Sequence, residues 1–215
     1  MKLPTQLQIN EKMNVEEPFL RQLERLGWTI LRAEEAGKYD PVVTFRESFG
    51  EVMIEKQLSE ALLKINPWLE ENQLPEIIRE LAVPSKNSLL EANKEILEKL
   101  LENTSAENRK TGNRNDTVRF IDFKNPDNNL FLAVSQFKVN IPGTEKHIIP
   151  DIVLFINGMP VGVVECKSAS VPDPMGESIE QLMRYQCRRG ESKEGSEKLF
   201  WYNQLVISTC RQTAK

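Results

Sequence analysis

The chain has one histidine, three cysteines and no long apolar run. Each scarcity removes a class of function. With only His147, a multi-histidine metal centre is excluded, and a Ser-His or Cys-His nucleophile has one candidate base at most. Cys166, Cys187 and Cys210 are odd in number and too widely spaced for a disulfide framework or a CxxC zinc site. That usage fits a reducing compartment, so a cytoplasmic location is expected. A membrane-crossing helix needs roughly 18–20 consecutive apolar residues, and none is present. The opening MKLPTQLQINEKMN lacks the apolar core of a secretory signal. Positive charge is short as well. Against 32 Asp+Glu stand 28 Lys+Arg, a net charge of −4. This argues against a protein that grips nucleic acid unaided through bulk charge. It leaves room for a nuclease whose DNA is held mainly by other domains or subunits.

What is present is ordinary globular material. The 215 residues are 40% hydrophobic and 28% charged, with 10 Gly and 12 Pro, enough for a sizeable core. The first half reads helical and the second half reads as strands. Asn14 and Glu17, Ser48 and Glu51, and Ser88 and Glu91 each have capping-box spacing before an apolar periodic run. The first of these helices is expected to end at Gly27, before a short strand around Trp28, Ile30 and Leu31. Pro67, Pro75 and Pro84 punctuate the helical part. The polar run from Glu102 to Asp116 predicts an exposed loop. Strands are predicted at Val118–Lys124, Leu130–Val139, Asp151–Ile156, Val161–Lys167 and Leu205–Ser208, with a helix over Glu177–Arg188. Asn157-Gly158 is a strong hairpin signal.

The chemistry concentrates on that hairpin. Asp151 opens one apolar strand, and Glu165-Cys166-Lys167 closes the next. Residues two apart on a strand share a face, so Glu165 and Lys167 project together, and the turn can return them to Asp151. Two carboxylates with an adjacent ammonium suit phosphodiester hydrolysis. Hard oxygen donors hold Mg²⁺, with Mn²⁺ as a substitute, and an ammonium can orient water or stabilise the transition state. The backbone carbonyl of Cys166 is a further candidate ligand, while its thiol should face away. The same residues also permit a plainer reading, in which Glu165 and Lys167 simply pair at a strand end in solvent. In the next helix Gln181 and Tyr185 lie four apart on one face, with Ser178 beside them. They can reach a phosphate or order the lysine, or Tyr185 can be core and Gln181 surface.

Residues Pro150 to Lys167, PDIVLFINGMPVGVVECK, resemble the PD-(D/E)xK nuclease motif. The segment is also similar to the N-terminal nuclease region of the restriction (HsdR) subunit of type I restriction-modification enzymes. That group shares the N-G-L/M-P turn, matched by Asn157 to Pro160, and the Q-x-x-x-Y motif, matched by Gln181 to Tyr185. Val15–Trp28 and Arg119–Val139 resemble its opening helix and central strands. The resemblance implies an α/β, restriction-endonuclease-like core with a mixed central sheet flanked by helices and a helical insertion in the N-terminal half. It implies one nuclease domain over 1–215, with 13–105 mainly helical and 117–210 the catalytic sheet core, as a piece of a longer chain. It implies Mg²⁺-dependent cleavage of duplex DNA, with Asp151 and Glu165 as metal carboxylates and Lys167 as catalytic lysine. It adds Glu16 as an acidic residue from the first helix, in preference to Glu17. Gln181 and Tyr185 would support DNA handling. Modification and specificity subunits would be partners. ATP would act only through domains absent here, since no GxxxxGK(S/T) loop occurs. Cys166 departs from the group, where Leu is common at that position.

Arg184, Arg188 and Arg189 are candidate DNA-backbone contacts. Arg109, Lys110 and Arg114 read as a solvated loop, His147 as exposed, and Trp28, Trp68 and Trp201 as core or interface anchors. Rival readings are a RecB-like repair nuclease, a junction resolvase, or a non-catalytic docking module on the same fold.

Overall fold

The computed structural model describes residues 11–85, 88–101, 104–191 and 193–215. Its centre is the hairpin that the Asn-Gly pair announces. Strand β9 (Ile152–Ile156) runs antiparallel to β10 (Met159–Cys166), and the turn between them holds Asn157 at φ 52° and Gly158 at φ 79°. Both values are left-handed, as the tightest hairpin turns require. Glycine is needed at position 158 for a second reason. A β-carbon there would strike the Ile54 carbonyl. The Gly158 carbonyl in turn accepts from the Ile54 N–H at 2.8 Å.

Three further strands complete the sheet: β1 (Thr29–Arg32), β6 (Phe131–Ser135) and β11 (Leu205–Thr209). The order is β1-β6-β9-β10-β11, with β1 parallel to β6, β10 parallel to β11, and antiparallel pairing between. Every residue of β10 is buried, as expected of a central strand covered on both faces. Side-chain alternation assigns the two layers. Ile152, Leu154, Val164 and Cys166 face Leu20 and Leu23 of helix α1 (Glu17–Arg25) and Val15 of the turn before it. Val153, Phe155, Val161 and Val163 face the larger core. That core includes helices α2 (Glu55–Ile65), α3 (Leu74–Ala82), α4 (Leu89–Leu101) and α5 (Pro174–Tyr185), with a short α6 (Glu197–Phe200). The mixed sheet flanked by helices is the expected architecture.

Several local expectations need correction. Asn14 does not cap the first helix. The chain enters α1 through a π-helical turn at Lys12–Glu16, and Glu17 pairs with Arg32 at 2.9 Å instead. Ser48 and Glu51 bond within a turn, the Glu51 carboxylate accepting from the Glu47 N–H at 2.9 Å, and α2 starts only at Glu55. Ser88 does cap the head of α4, its hydroxyl accepting from the Glu91 N–H at 3.3 Å and donating to the Glu91 carboxylate at 2.8 Å. The run beginning at Glu102, itself outside the described residues, is a hairpin rather than a loop. Strands β4 (Ser105–Asn108) and β5 (Asn113–Thr117) pair antiparallel, and the Asn108 amide donates to Asp116 at 2.6 Å. Polar side chains that bond one another supply what apolar alternation normally supplies. Val118–Lys124 is not a strand. Val118 and Phe120 are buried, but Asn66 and Asn129 side chains take up the backbone groups of Arg119 and Asp122. The expected strand Leu130–Val139 breaks at Gln136, which sits at φ 57°. Beyond it, β7 (Val139–Asn140) pairs with β8 (His147–Ile148), and after β1 the short strands β2 (Glu34–Glu35) and β3 (Lys38–Tyr39) pair antiparallel.

Candidate active site

Four chain segments converge at one end of the β9–β10 hairpin. Asp151 stands just before β9, and its Oδ2 accepts the Cys166 N–H at 2.7 Å across the hairpin. The N–H and C=O of one strand residue point to the same edge, so the Cys166 carbonyl faces Asp151 too. Its thiol is buried against α1, as expected. Glu165 is completely buried. Its Oε1 accepts from Lys167 Nζ at 3.1 Å, and its carbonyl accepts from Ser178 Oγ at 3.3 Å. Glu16 arrives from the π-helical turn and is 2% exposed. The sequence-selected Asp151, Glu165, Lys167 and Glu16 therefore occupy one cluster.

Two members were not selected from sequence. Gln136 Nε2 donates to Glu16 Oε2 at 3.0 Å and to Asp151 Oδ1 at 3.2 Å. Glu11 lies 3.8 Å from Lys167 Nζ and accepts the Ser168 N–H at 3.0 Å. Five residues would set Glu11 and Glu16 far apart around an α-helix. The wider π turn brings them closer to a common face. A rare helix type leaves no compositional signal, so the sequence could not announce this pair.

The cluster is strongly acidic for its depth. Burial first, then the charge of Asp151, lift the Glu16 carboxyl to about 8, although Gln136 and Lys12 pull it down. Burial lifts Asp151 to about 6 against the Cys166 N–H and Lys167. Burial and Asp151 push Glu165 well above the ordinary carboxylate range. Burial works against the Lys167 ammonium, but Glu165, Asp151 and Glu11 together outweigh it and raise its pKa. Lys167 thus remains charged, while Glu16, Asp151 and Glu165 hold protons more tightly than free acids do. Two carboxylate oxygens in this buried space, Glu16 Oε1 and Glu165 Oε2, have no hydrogen-bond partner. Unpaired buried oxygens are costly, and hard oxygen donors of this kind suit a divalent cation. Among the described residues, no three His, Cys, Asp or Glu groups stand in finished ligand geometry. The acids are gathered, but not closed around a common point.

The α5 residues act at the rim. Gln181 Nε2 donates to Tyr185 Oη at 2.6 Å, and Tyr185 Oη donates to the Ile149 carbonyl at 3.2 Å, two residues before Asp151. Tyr185 is buried, and burial followed by the Glu165 charge raises its phenol pKa, so it stays neutral. It steadies the approach to β9 from within the core. An open groove of about 740 Å³ beside Lys167 is lined by Gln181, Arg184 and Arg189 among others. Arg188 lines a different depression, with Asn93 and Asn203. Arg109 pairs with Glu70 at 2.8 Å, and Lys110 donates to the Pro67 carbonyl, so both dock on the helical part. His147 is exposed in β8. Among the described residues, no helix is long and apolar enough to cross a membrane.

Comparison with known proteins gives a consistent result. The family described as type I restriction enzyme R protein N terminus matches residues 8–214. The type I restriction enzyme HindI endonuclease subunit of Haemophilus influenzae is 30% identical over 200 residues, 93% of this chain and 18% of that protein. Two sequences of Methanocaldococcus jannaschii, provisionally named as the type I restriction enzyme MjaIXP and MjaVIIIP endonuclease subunits, are 28% and 30% identical over 162 and 190 residues. They are matched over 15% and 16% of their own lengths, so the chain spans less than a fifth of each of these relatives. A match to that family over nearly the whole chain, on a mixed sheet that gathers Asp151, Glu165 and Lys167, means that the chain belongs to the type I restriction enzyme R protein N-terminal family.

Proposed function

We propose that this domain hydrolyses phosphodiester bonds of duplex DNA as the endonuclease part of a type I restriction subunit. The carrying observation is the pair of unpartnered buried oxygens on Glu16 and Glu165, in a cluster of four acids with one ammonium. Asp151, Glu165 and the Cys166 carbonyl would hold Mg²⁺, or Mn²⁺ in its place, with Glu16 contributing its free oxygen. When bound, the cation would supply charge neutralisation and an acidified water. Lys167, kept charged by its carboxylate neighbours, orients the attacking water and stabilises negative charge on the phosphoryl oxygens. Asp151, fixed by the Cys166 N–H, keeps one oxygen on the hairpin and leaves the other side of the carboxyl turned to Gln136. Gln181, Arg184 and Arg189 line the path of the DNA backbone, and Tyr185 sets the position of Gln181. Modification and specificity subunits are the partners of this reading, and ATP is used by other parts of the longer protein. Family membership favours it over a RecB-like repair nuclease or a junction resolvase. The gathered acids favour it over a docking module, which has no need of them.

Calorimetric titration of Mn²⁺ into the protein, beside Asp151→Ala and Glu165→Ala, tests the proposal. Saturable binding is expected in the parent and its loss in both variants, with circular dichroism unchanged. In the assembled restriction complex, Lys167→Ala is expected to lower DNA cleavage by about 100-fold or more. Undiminished Mn²⁺ binding in both carboxylate variants would overturn the site.

A further inference from the structure

Gln136 occupies a conformation that needs an explanation. It follows the last residue of β6 at φ 57°, a left-handed value that strains a non-glycine residue. The surroundings impose this conformation from both sides. Its backbone N–H donates to the Asp151 carbonyl at 2.7 Å, and the next N–H, of Phe137, donates to the Pro150 carbonyl at 3.1 Å. The Phe137 ring is held at 3.8 Å under the Arg46 guanidinium and packs edge-on to Phe155 at 5.2 Å. Arg46 is itself buried and bonded to the Thr44 hydroxyl and to the carbonyls of Glu51 and Lys138. The chain is therefore turned out of the strand at Gln136 and locked there.

The turn aims the Gln136 amide at two carboxylates from distant parts of the chain. One N–H donor atom, Nε2, meets Glu16 Oε2 from the N-terminal turn and Asp151 Oδ1 from the hairpin. Glu16 is thereby engaged on one oxygen, and Asp151, whose Oδ2 already accepts the Cys166 N–H, on both. Glu16 is left with its second oxygen, Oε1, buried and without a partner. A neutral amide suits this position. An acid would add repulsion to a cluster already crowded with carboxylates, and a cation would compete for the oxygens that a metal needs. Groups that bond ligand side chains in this way fix their orientation, and their loss typically weakens metal binding 10- to 100-fold.

We propose that Gln136 is a positioning residue for the divalent-cation site, an amide clamp that joins the Glu16 carboxylate of the N-terminal turn to Asp151. The inference rests on the function proposed above and deepens it. It assigns Glu16 to the same site as Asp151, through a residue that touches neither cation nor DNA.

Mn²⁺ titration of Gln136→Met and Gln136→Asn, with thermal unfolding of the metal-free proteins, provides the test. Methionine keeps the shape and removes the donor. Asparagine tolerates the left-handed backbone but is too short to reach both acids. Each variant is expected to bind Mn²⁺ about tenfold more weakly at a metal-free Tm within a few degrees of the parent. In a Glu16→Ala background the same substitutions are expected to change Mn²⁺ affinity little, since the clamp then has one jaw. Parental Mn²⁺ affinity in either folded variant overturns the role of Gln136 and leaves the proposed function standing. Failure of the parent itself to bind Mn²⁺ overturns both.

Discussion

Glu16 shows how much one side chain can carry. It is buried beside Asp151, with one oxygen on Gln136 and the other on nothing. Its folded pKa of about 8 lies above the ordinary 4.5, so the folded state binds a proton more tightly than the unfolded chain does. The stability that this proton confers is complete below pH 4.5 and is lost as pH rises toward 8, by about 1.4 kcal/mol per pH unit at most. The metal-free Tm should therefore fall between pH 5 and pH 8. Glu16→Gln, which cannot ionise, should flatten that slope and raise the Tm at pH 8 by several degrees. Calorimetric scans at the two pH values check this, and a variant as pH-sensitive as the parent would contradict it. The sequence showed part of this cluster. Alternation along the expected strand Val161–Lys167 put Glu165 and Lys167 on one face, and the Asn-Gly turn returned them to Asp151. Gln136 was invisible, because its orientation depends on β6 pairing with β9 and on a backbone twist that no local pattern encodes.

Among the elements, the β9–β10 hairpin was the most legible and the polar hairpin β4–β5 the least. An Asn-Gly turn between two apolar runs is a local signal. A strand pair built from Asn, Arg, Asp and Thr is stabilised by particular side-chain bonds, which composition does not reveal. The first two capping boxes failed for a related reason. Their spacing was right, but Glu17 was taken by Arg32 and Glu51 by the Glu47 N–H. Two glycines separate the reasons for using glycine. Gly158 and Gly112 both have positive φ, yet only Gly158 faces a backbone wall. Gly112→Ala should cost about 1 kcal/mol from backbone strain alone, and Gly158→Ala clearly more, ~3 kcal/mol. Urea denaturation midpoints measure the difference. Equal losses would mean that the contact with Ile54 is unimportant.

At the scale of the whole molecule, the net charge of −4 leaves little general attraction for DNA. One groove carries Lys167, Arg184 and Arg189, interspersed with Asp173, Glu177 and Glu180, and Arg189 lies 3.7 Å from the Glu194 carboxylate. Three phosphate contacts correspond to a slope of about −3 in log affinity against log salt. Duplex binding by this chain alone should be weak and should follow a slope no steeper than that. Electrophoretic shifts over a range of salt concentrations measure it, and a much steeper slope would show a wider basic surface than the groove supplies. The same scale gives meaning to the buried Asn157. Its side chain donates to the Phe120 carbonyl and to Asn129 Oδ1 and accepts the Leu130 N–H, while its own N–H reaches the Leu130 carbonyl. The hairpin is therefore clamped at its tip, and Asp151 and Glu165 sit at the far end of a beam fixed at the other. Hairpin tips ordinarily surrender their amide protons to solvent first. Here the Asn157 amide should exchange with deuterium as slowly as the middle of β10, and opening should begin at the end that bears the acids.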